Sequence, residues 1–177
     1  LECPGDTAIF ICEPDTICLP IEGIPEGSQV TVSPASAWYD AASGSVCFYT
    51  NCSVVKNLKI KVENECGADS CMAQVDVTMN SNPVVMLGRD TTVWLCQLQH
   101  ICVPAGVYDQ DNNIMQISAG PGSSYNPITG TVCFLPSAPG WYTLMLVATD
   151  SCGKSGLDFV RVNVIQNDFP SVVSSEN

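Results

Sequence analysis

Charge is scarce in this chain: 14% of its 177 residues are charged, against about 25% in an ordinary soluble domain. Basic residues are scarcest, 6 Lys and Arg beside 18 Asp and Glu, and the resulting net charge of −12 repels nucleic acid and anionic lipid, which excludes both as partners. The single histidine, His100, lies near Cys102 at a strand start, where a turn role suits it better than that of a base. There is no Gly-x-Ser-x-Gly elbow and no Gly-rich phosphate loop, and no spacing among the acids marks a pair for glycoside hydrolysis. The sequence therefore reads as non-enzymatic. No apolar run reaches the length of a membrane span, which argues against membrane insertion. Helical periodicity is nearly absent as well. Finally, the chain starts at Leu1 with neither Met nor leader, and so reads as a mature or excised fragment.

What the chain does have is cysteine and repetition. Eleven cysteines without Cys-x-x-Cys knuckles or accompanying histidines point to disulfides and not to zinc, hence to an oxidising, extracellular or cell-surface location. Cys96 and Cys102 answer Cys12 and Cys18 at offsets of 96−12 = 84 and 102−18 = 84. Gly130-Thr131-Val132-Cys133-Phe134 answers Gly44-Ser45-Val46-Cys47-Phe48, and Ser151-Cys152-Gly153 answers Glu65-Cys66-Gly67, at offsets of 130−44 = 86 and 152−66 = 86. Such a period is too long for a solenoid unit and fits one small domain per repeat. We expect repeat 1 over residues 1–81, repeat 2 over 82–168, and a tail, 169–177, resembling the first strand of a further repeat.

Both repeats read as all-β. Alternating or β-branched runs bounded by Gly, Pro, Asn and Asp recur at short intervals. Strands are expected at 7–12, 17–21, 29–33, 46–49, 58–63 and 72–79, then at 92–96, 101–108, 114–118, 131–135, 141–149 and 157–165. The segment 33–45 around Trp38-Tyr39 reads as a long connection, and Asn80-Ser81-Asn82-Pro83 as a stiff linker. Lys59-Ile60-Lys61-Val62 and Gln74-Val75-Asp76-Val77 alternate cleanly, so each strand shows one face to a core.

In the second repeat, Val107-Tyr108-Asp109-Gln110-Asp111, Thr129-Gly130-Thr131-Val132, Tyr142-Thr143-Leu144-Met145-Leu146-Val147-Ala148-Thr149-Asp150 and Asn167-Asp168-Phe169-Pro170 stand in an order that resembles the cadherin-like and bacterial immunoglobulin-like (PKD-like) extracellular repeats. The first repeat departs from that pattern at 21–26 and 62–64. The resemblance implies two tandem immunoglobulin-like β-sandwiches, here disulfide-stapled, and a calcium joint. Its ligands would be Asp109, Asp111 and Asp150 with Asn80 and Asn82 from the linker, and Asn112 and Asn113 are further oxygen donors. The alternative is that these residues only end strands and make turns.

Sequence does not fix disulfide connectivity. Cys12, Cys18, Cys47, Cys66, Cys71, Cys96, Cys102 and Cys133 are expected in disulfides, with Cys66–Cys71 across a hairpin tip and Cys18–Cys47 and Cys102–Cys133 as the favoured pairs. Cys3, Cys52 and Cys152 are the candidates for a free or intermolecular thiol. The functional expectation is an extracellular structural or adhesion module from a fibre or stalk, partnered by itself or by neighbouring repeats of a longer chain. Polymerisation would run head to tail by strand addition of the tail, through Phe169, Val172 and Val173. The alternative is a carbohydrate- or protein-binding accessory module, using the second-repeat loops or a sugar platform drawn from Trp38, Tyr39, Trp94, Trp141 and Tyr142, of which Tyr142 suits the core and Trp38 and Tyr39, in a loop, are the better candidates.

Overall fold

The computed structural model describes residues 1–167. The chain divides into two compact units, Leu1–Asn80 and Ser81–Asn177, each an all-β sandwich of two sheets around its own core.

In unit 1, β1 (Thr7–Ile11), β7 (Gly67–Met79), β6 (Val54–Asn64) and β3 (Gln29–Ser33) form one sheet in that order, and β2 (Asp15–Pro20), β5 (Ser45–Thr50) and β4 (Ala37–Asp40) form the other. The larger sheet is built on the long β6–β7 hairpin, whose inward residues Leu58, Ile60, Val75 and Val77 are fully buried. They meet Val46 and Phe48 of β5 in one cluster. Alternation makes this possible, because Lys59, Lys61, Gln74 and Asp76 take the outward positions between them.

Unit 2 repeats the plan. One sheet orders β11 (Ile114–Ala119), β14 (Gly140–Asp150), β15 (Ser155–Gln166) and β9 (Thr91–Leu95), and the other orders β12 (Ser123–Asn126), β13 (Thr131–Phe134), β10 (Ile101–Tyr108) and β8 (Val84–Leu87). Leu146, Ala148, Val160 and Val162 face Val132 and Phe134 across the core. The Tyr142 ring packs on Phe134 at 5.0 Å between centroids. Its phenol oxygen accepts from the N–H groups of Ser137 and Ala138, both at 3.1 Å, and its O–H donates to the Ala138 carbonyl at 2.7 Å. Those bonds, Ser137 first, hold the Tyr142 pKa below the ordinary tyrosine value.

The segment read as a long connection holds β4, and its counterpart in unit 2 holds β12, which the sequence reading also left out. Their Ser, Ala and Pro content hides two hairpins that turn on glycines in the left-handed region, Gly44 at φ 65° and Gly130 at φ 60°. Each turn is tied by the residue that ends the strand. Asp40 accepts from the Ser43 hydroxyl at 2.6 Å and the Ala42 N–H at 3.1 Å, which lowers its pKa, and Asn126 accepts from the Ile128 N–H at 2.9 Å.

The units differ at one edge. In unit 2, β8 pairs antiparallel with β10 over four residues. In unit 1 that place beside the end of β2 holds a single bridge, Glu2 to Glu22.

Candidate functional site

With no catalytic constellation in the sequence, the candidate sites are the cysteine set, the acidic end of unit 2 and the exposed aromatics. Cys18 faces Cys47 in the β2–β5 register and Cys102 faces Cys133 in the β10–β13 register. Both pairs are disulfides, with Cα atoms 4.1 and 4.0 Å apart. They tie adjacent strands of one sheet, not the two sheets of a sandwich.

The hairpin-tip pairing is corrected. Cys71 is bonded to Cys3, and Cys66 is free. The β6–β7 turn is only Glu65-Cys66, so Cys66 sits in the tip while Cys71 lies down β7 opposite Ile60. Five residues of extended strand separate the two by about 16 Å, far beyond disulfide reach. Cys96 is corrected too: it is free and exposed, since it lies just past β9 in one sheet while Cys102 and Cys133 bond each other in the other. Cys3 and Cys152, the candidates for free thiols, are disulfide-bonded, as is Cys12. Cys52 is free and exposed.

The free and bonded members of the repeated positions occupy the same local frames. After β1 the Asn80 N–H donates to the Ile11 carbonyl next to Cys12 at 2.9 Å, and after β9 the Asn167 N–H donates to the Leu95 carbonyl next to Cys96 at 2.9 Å. In the hairpin turns the side chain ending the first strand receives the cysteine N–H: Asn64 from Cys66 at 2.9 Å, and Asp150 from Cys152 at 2.9 Å.

At one end of unit 2 the structure brings the Asp109 turn beside the β14–β15 turn. The Ser151 N–H donates to the Asn113 carbonyl at 3.0 Å, and Ile114 pairs with Asp150. Asp109 and Asp150 are 3% and 1% exposed. Each carboxylate closes its own turn: Asp109 accepts from the Asp111 N–H at 2.9 Å, and Asp150 also accepts from the Lys154 N–H at 2.8 Å. Asp111 accepts from the Ser81 N–H at 2.6 Å. The second oxygen of Asp109 is buried with no hydrogen-bond partner, an arrangement that a cation would relieve. Asn82 is exposed, and Asn80 belongs to unit 1. Among the described residues no three His, Cys, Asp or Glu side chains form a metal-binding group.

Trp38 and Tyr39 do not make a platform. They lie on β4, not in a loop, and alternation turns them to opposite faces: Trp38 is 45% exposed, while Tyr39 packs against the core. Of the other aromatics the sequence offers for a platform, Trp94 and Trp141 stand 63% and 66% exposed on the outer face of the β11–β14–β15–β9 sheet, beside Phe159, which the sequence does not single out, at 61%. Arg161 lies on the same face, 6.0 Å over the Trp141 ring, and is paired with Asp90 at 2.9 Å. The Arg161 N–H first, then its guanidinium, lowers the Asp90 pKa. Phe169, Val172 and Val173 lie outside the described residues.

No protein-family model and no curated protein matches the chain in sequence. Solved structures match its fold. The first two extracellular domains of human protocadherin-24 superpose with a TM-score of 0.60 at 12% identity, over 92% of this chain and 94% of that one. Drosophila N-cadherin EC1-4 gives 0.54 at 14% identity over 90% of this chain, and the human desmocollin-1 ectodomain 0.56 at 10% over 93%. The fold is a tandem pair of cadherin-like, immunoglobulin-like sandwiches. This chain spans 47% of the N-cadherin fragment and 41% of the desmocollin ectodomain, about half the length or less of these longer ectodomains. No helix among the described residues is long and apolar enough to cross a membrane.

Proposed function

We propose that the chain is a non-enzymatic module of an extracellular adhesive or structural array, in which copies of this repeat are strung end to end. The observation that carries this reading is the repetition itself: two sandwiches with the same strand plan, each stapled by a disulfide at the same register. Disulfides between adjacent strands suit a secreted or cell-surface module, where small cores need covalent support. The match in fold to tandem ectodomains of adhesion proteins agrees with it.

Head-to-tail strand addition is the finer form of the proposal. The edge that β8 covers in unit 2 is met in unit 1 by one bridge at Glu2, and unpaired strand edge is what an added strand uses. The donor would be the tail around Phe169, Val172 and Val173. Sedimentation velocity of the full chain against a variant lacking residues 169–177 tests this: concentration-dependent assemblies that vanish on deletion support it, and unchanged assembly sinks it.

A second reading, calcium at the acidic end of unit 2, is favoured by the unsatisfied buried oxygen of Asp109. Asp109 and Asp111 would hold the ion, with Asp150 alongside, and the ion would supply rigidity, not chemistry. Calorimetric titration with calcium should give binding that Asp109→Asn abolishes; no heat with the intact chain removes the reading.

A further inference from the structure

The repeat has two cysteine positions that are each used once and left once. The position after the first strand of the parallel-paired edge is Cys12 in unit 1 and Cys96 in unit 2, and the hairpin-turn position is Cys66 in unit 1 and Cys152 in unit 2. Cys12 and Cys152 are disulfide-bonded, whereas Cys96 and Cys66 are free and exposed. The two positions lie at opposite ends of each sandwich. β7 runs from the Cys66 turn to Met79, which pairs with Ile11 beside Cys12, and β15 runs from the Cys152 turn to Gln166, which pairs with Leu95 beside Cys96. A free thiol therefore stands at the end of unit 2 where the chain leaves it, and another at the end of unit 1 away from its exit.

We infer that Cys96 of one copy of this chain and Cys66 of a second copy form an intermolecular disulfide that joins the copies head to tail. The inference rests on the repeat-array reading above and adds its covalent joint. Local structure already places both thiols as it places their bonded equivalents. The Cys66 N–H is held by Asn64 as the Cys152 N–H is held by Asp150, and the backbone beside Cys96 is held by Asn167 as that beside Cys12 is held by Asn80. Cys66 also lines a hollow of about 340 Å³ with Leu1, Gly23, Pro25 and Asn64, which leaves room at that end for a docking segment. Cys52, the third free thiol, has Ala138 at its repeat-equivalent position (138−52 = 86), so it stands outside the pattern and serves as the control.

The chemistry is thiol–disulfide exchange with an exogenous low-molecular-weight disulfide. The Cys96 thiolate attacks that disulfide and releases one thiol; the Cys66 thiolate then attacks the mixed disulfide and releases the second. One sulfur–sulfur bond forms between the copies and one breaks in the reagent. The two cysteines lose two electrons and two protons, and the reagent leaves as two thiols.

Two exposed-site variants separate the halves: Cys52→Ser with Cys66→Ser keeps only Cys96, and Cys52→Ser with Cys96→Ser keeps only Cys66. Under glutathione disulfide, the mixture should yield a heterodimer at least about tenfold faster than either variant alone yields a homodimer, because docking raises the effective concentration of the matched thiols. Peptide mapping should find Cys66 joined to Cys96. Homodimers forming as fast as the heterodimer would falsify the joint. So would a variant keeping only Cys52 that cross-links at the same rate. Filaments that persist in Cys66→Ser with Cys96→Ser overturn the joint and leave the array reading standing. Selective heterodimers from the variants, with an intact chain that stops at closed dimers under the same oxidant, support the joint and overturn the array reading instead.

Discussion

The two units carry the same hairpin-based sheet, and its outer face is more charged in unit 1, where Val55 and Met72 are also exposed, and more apolar in unit 2. In unit 1 the outward positions of β6 and β7 hold Lys59, Lys61, Glu63, Gln74 and Asp76. At the register-equivalent positions of β14 and β15, unit 2 holds Met145, Val147, Thr149, Arg161 and Asn163. Trp141, Leu157 and Phe159 extend that apolar face. The inward positions change little, since Leu58, Ile60 and Val75 answer Leu144, Leu146 and Val162, all buried. The core pattern therefore specifies the sandwich, and the outer face is left to vary with what each unit meets.

The largest effects should fall where the units are alike. Replacing Cys18 and Cys47 by Ala, or Cys102 and Cys133 by Ala, should cost about 3–4 kcal/mol in either unit by the loop-entropy estimate, since the loops closed span 29 and 31 residues. Urea unfolding of the two double variants checks this, and a marked inequality would break the equivalence. Next comes Gly156, where an added Cβ would lie 2.0 Å from the Pro83 carbonyl oxygen. Gly156→Ala should destabilise unit 2 by about 1–3 kcal/mol. Asp69, its counterpart in unit 1, is exposed, so Asp69→Ala should stay within about 0.5 kcal/mol. Calorimetric melting of the two variants decides.

Tyr142 sharpens the comparison further, because Lys56 occupies its place in unit 1 (142−86 = 56). Tyr142→Phe strips the bonds to Ser137 and Ala138 and should cost unit 2 about 1 kcal/mol, read from the shift of its denaturation midpoint. The smallest stability change is expected on the outer face. Trp141→Ser with Phe159→Ser should move unfolding by no more than about 0.5 kcal/mol per site while lowering the fluorescence of a bound hydrophobic dye. A loss of several kcal/mol would show that these rings pack into the fold after all.

What was legible in the sequence follows the same division. Lys59-Ile60-Lys61-Val62 reads at sight as a strand with one wet face, and the β6–β7 hairpin stands there. In β14 and β15 the outward positions mix Trp141, Met145, Leu157 and Phe159 with Thr143, Thr149, Arg161 and Asn163, so the residues show a strand but mark its outer face only weakly; Trp141 is legible as a candidate for exposure, and Phe159 is not. β4 and β12 were hidden by small and turn-forming residues, and only the glycine at the end of each turn signals the hairpin. The Cys66–Cys71 expectation failed because a two-residue turn cannot be told from a six-residue one when both are polar. Pairs in direct register, such as Cys18 and Cys47, follow once the strands are aligned.

The central claim is that this chain is a length of repeat built to join others like it. Negative-stain electron microscopy of the intact protein, with and without reductant, tests it most directly. Regular end-to-end filaments that shorten in reductant are expected; dispersed single particles in both samples, at every concentration, would contradict the claim.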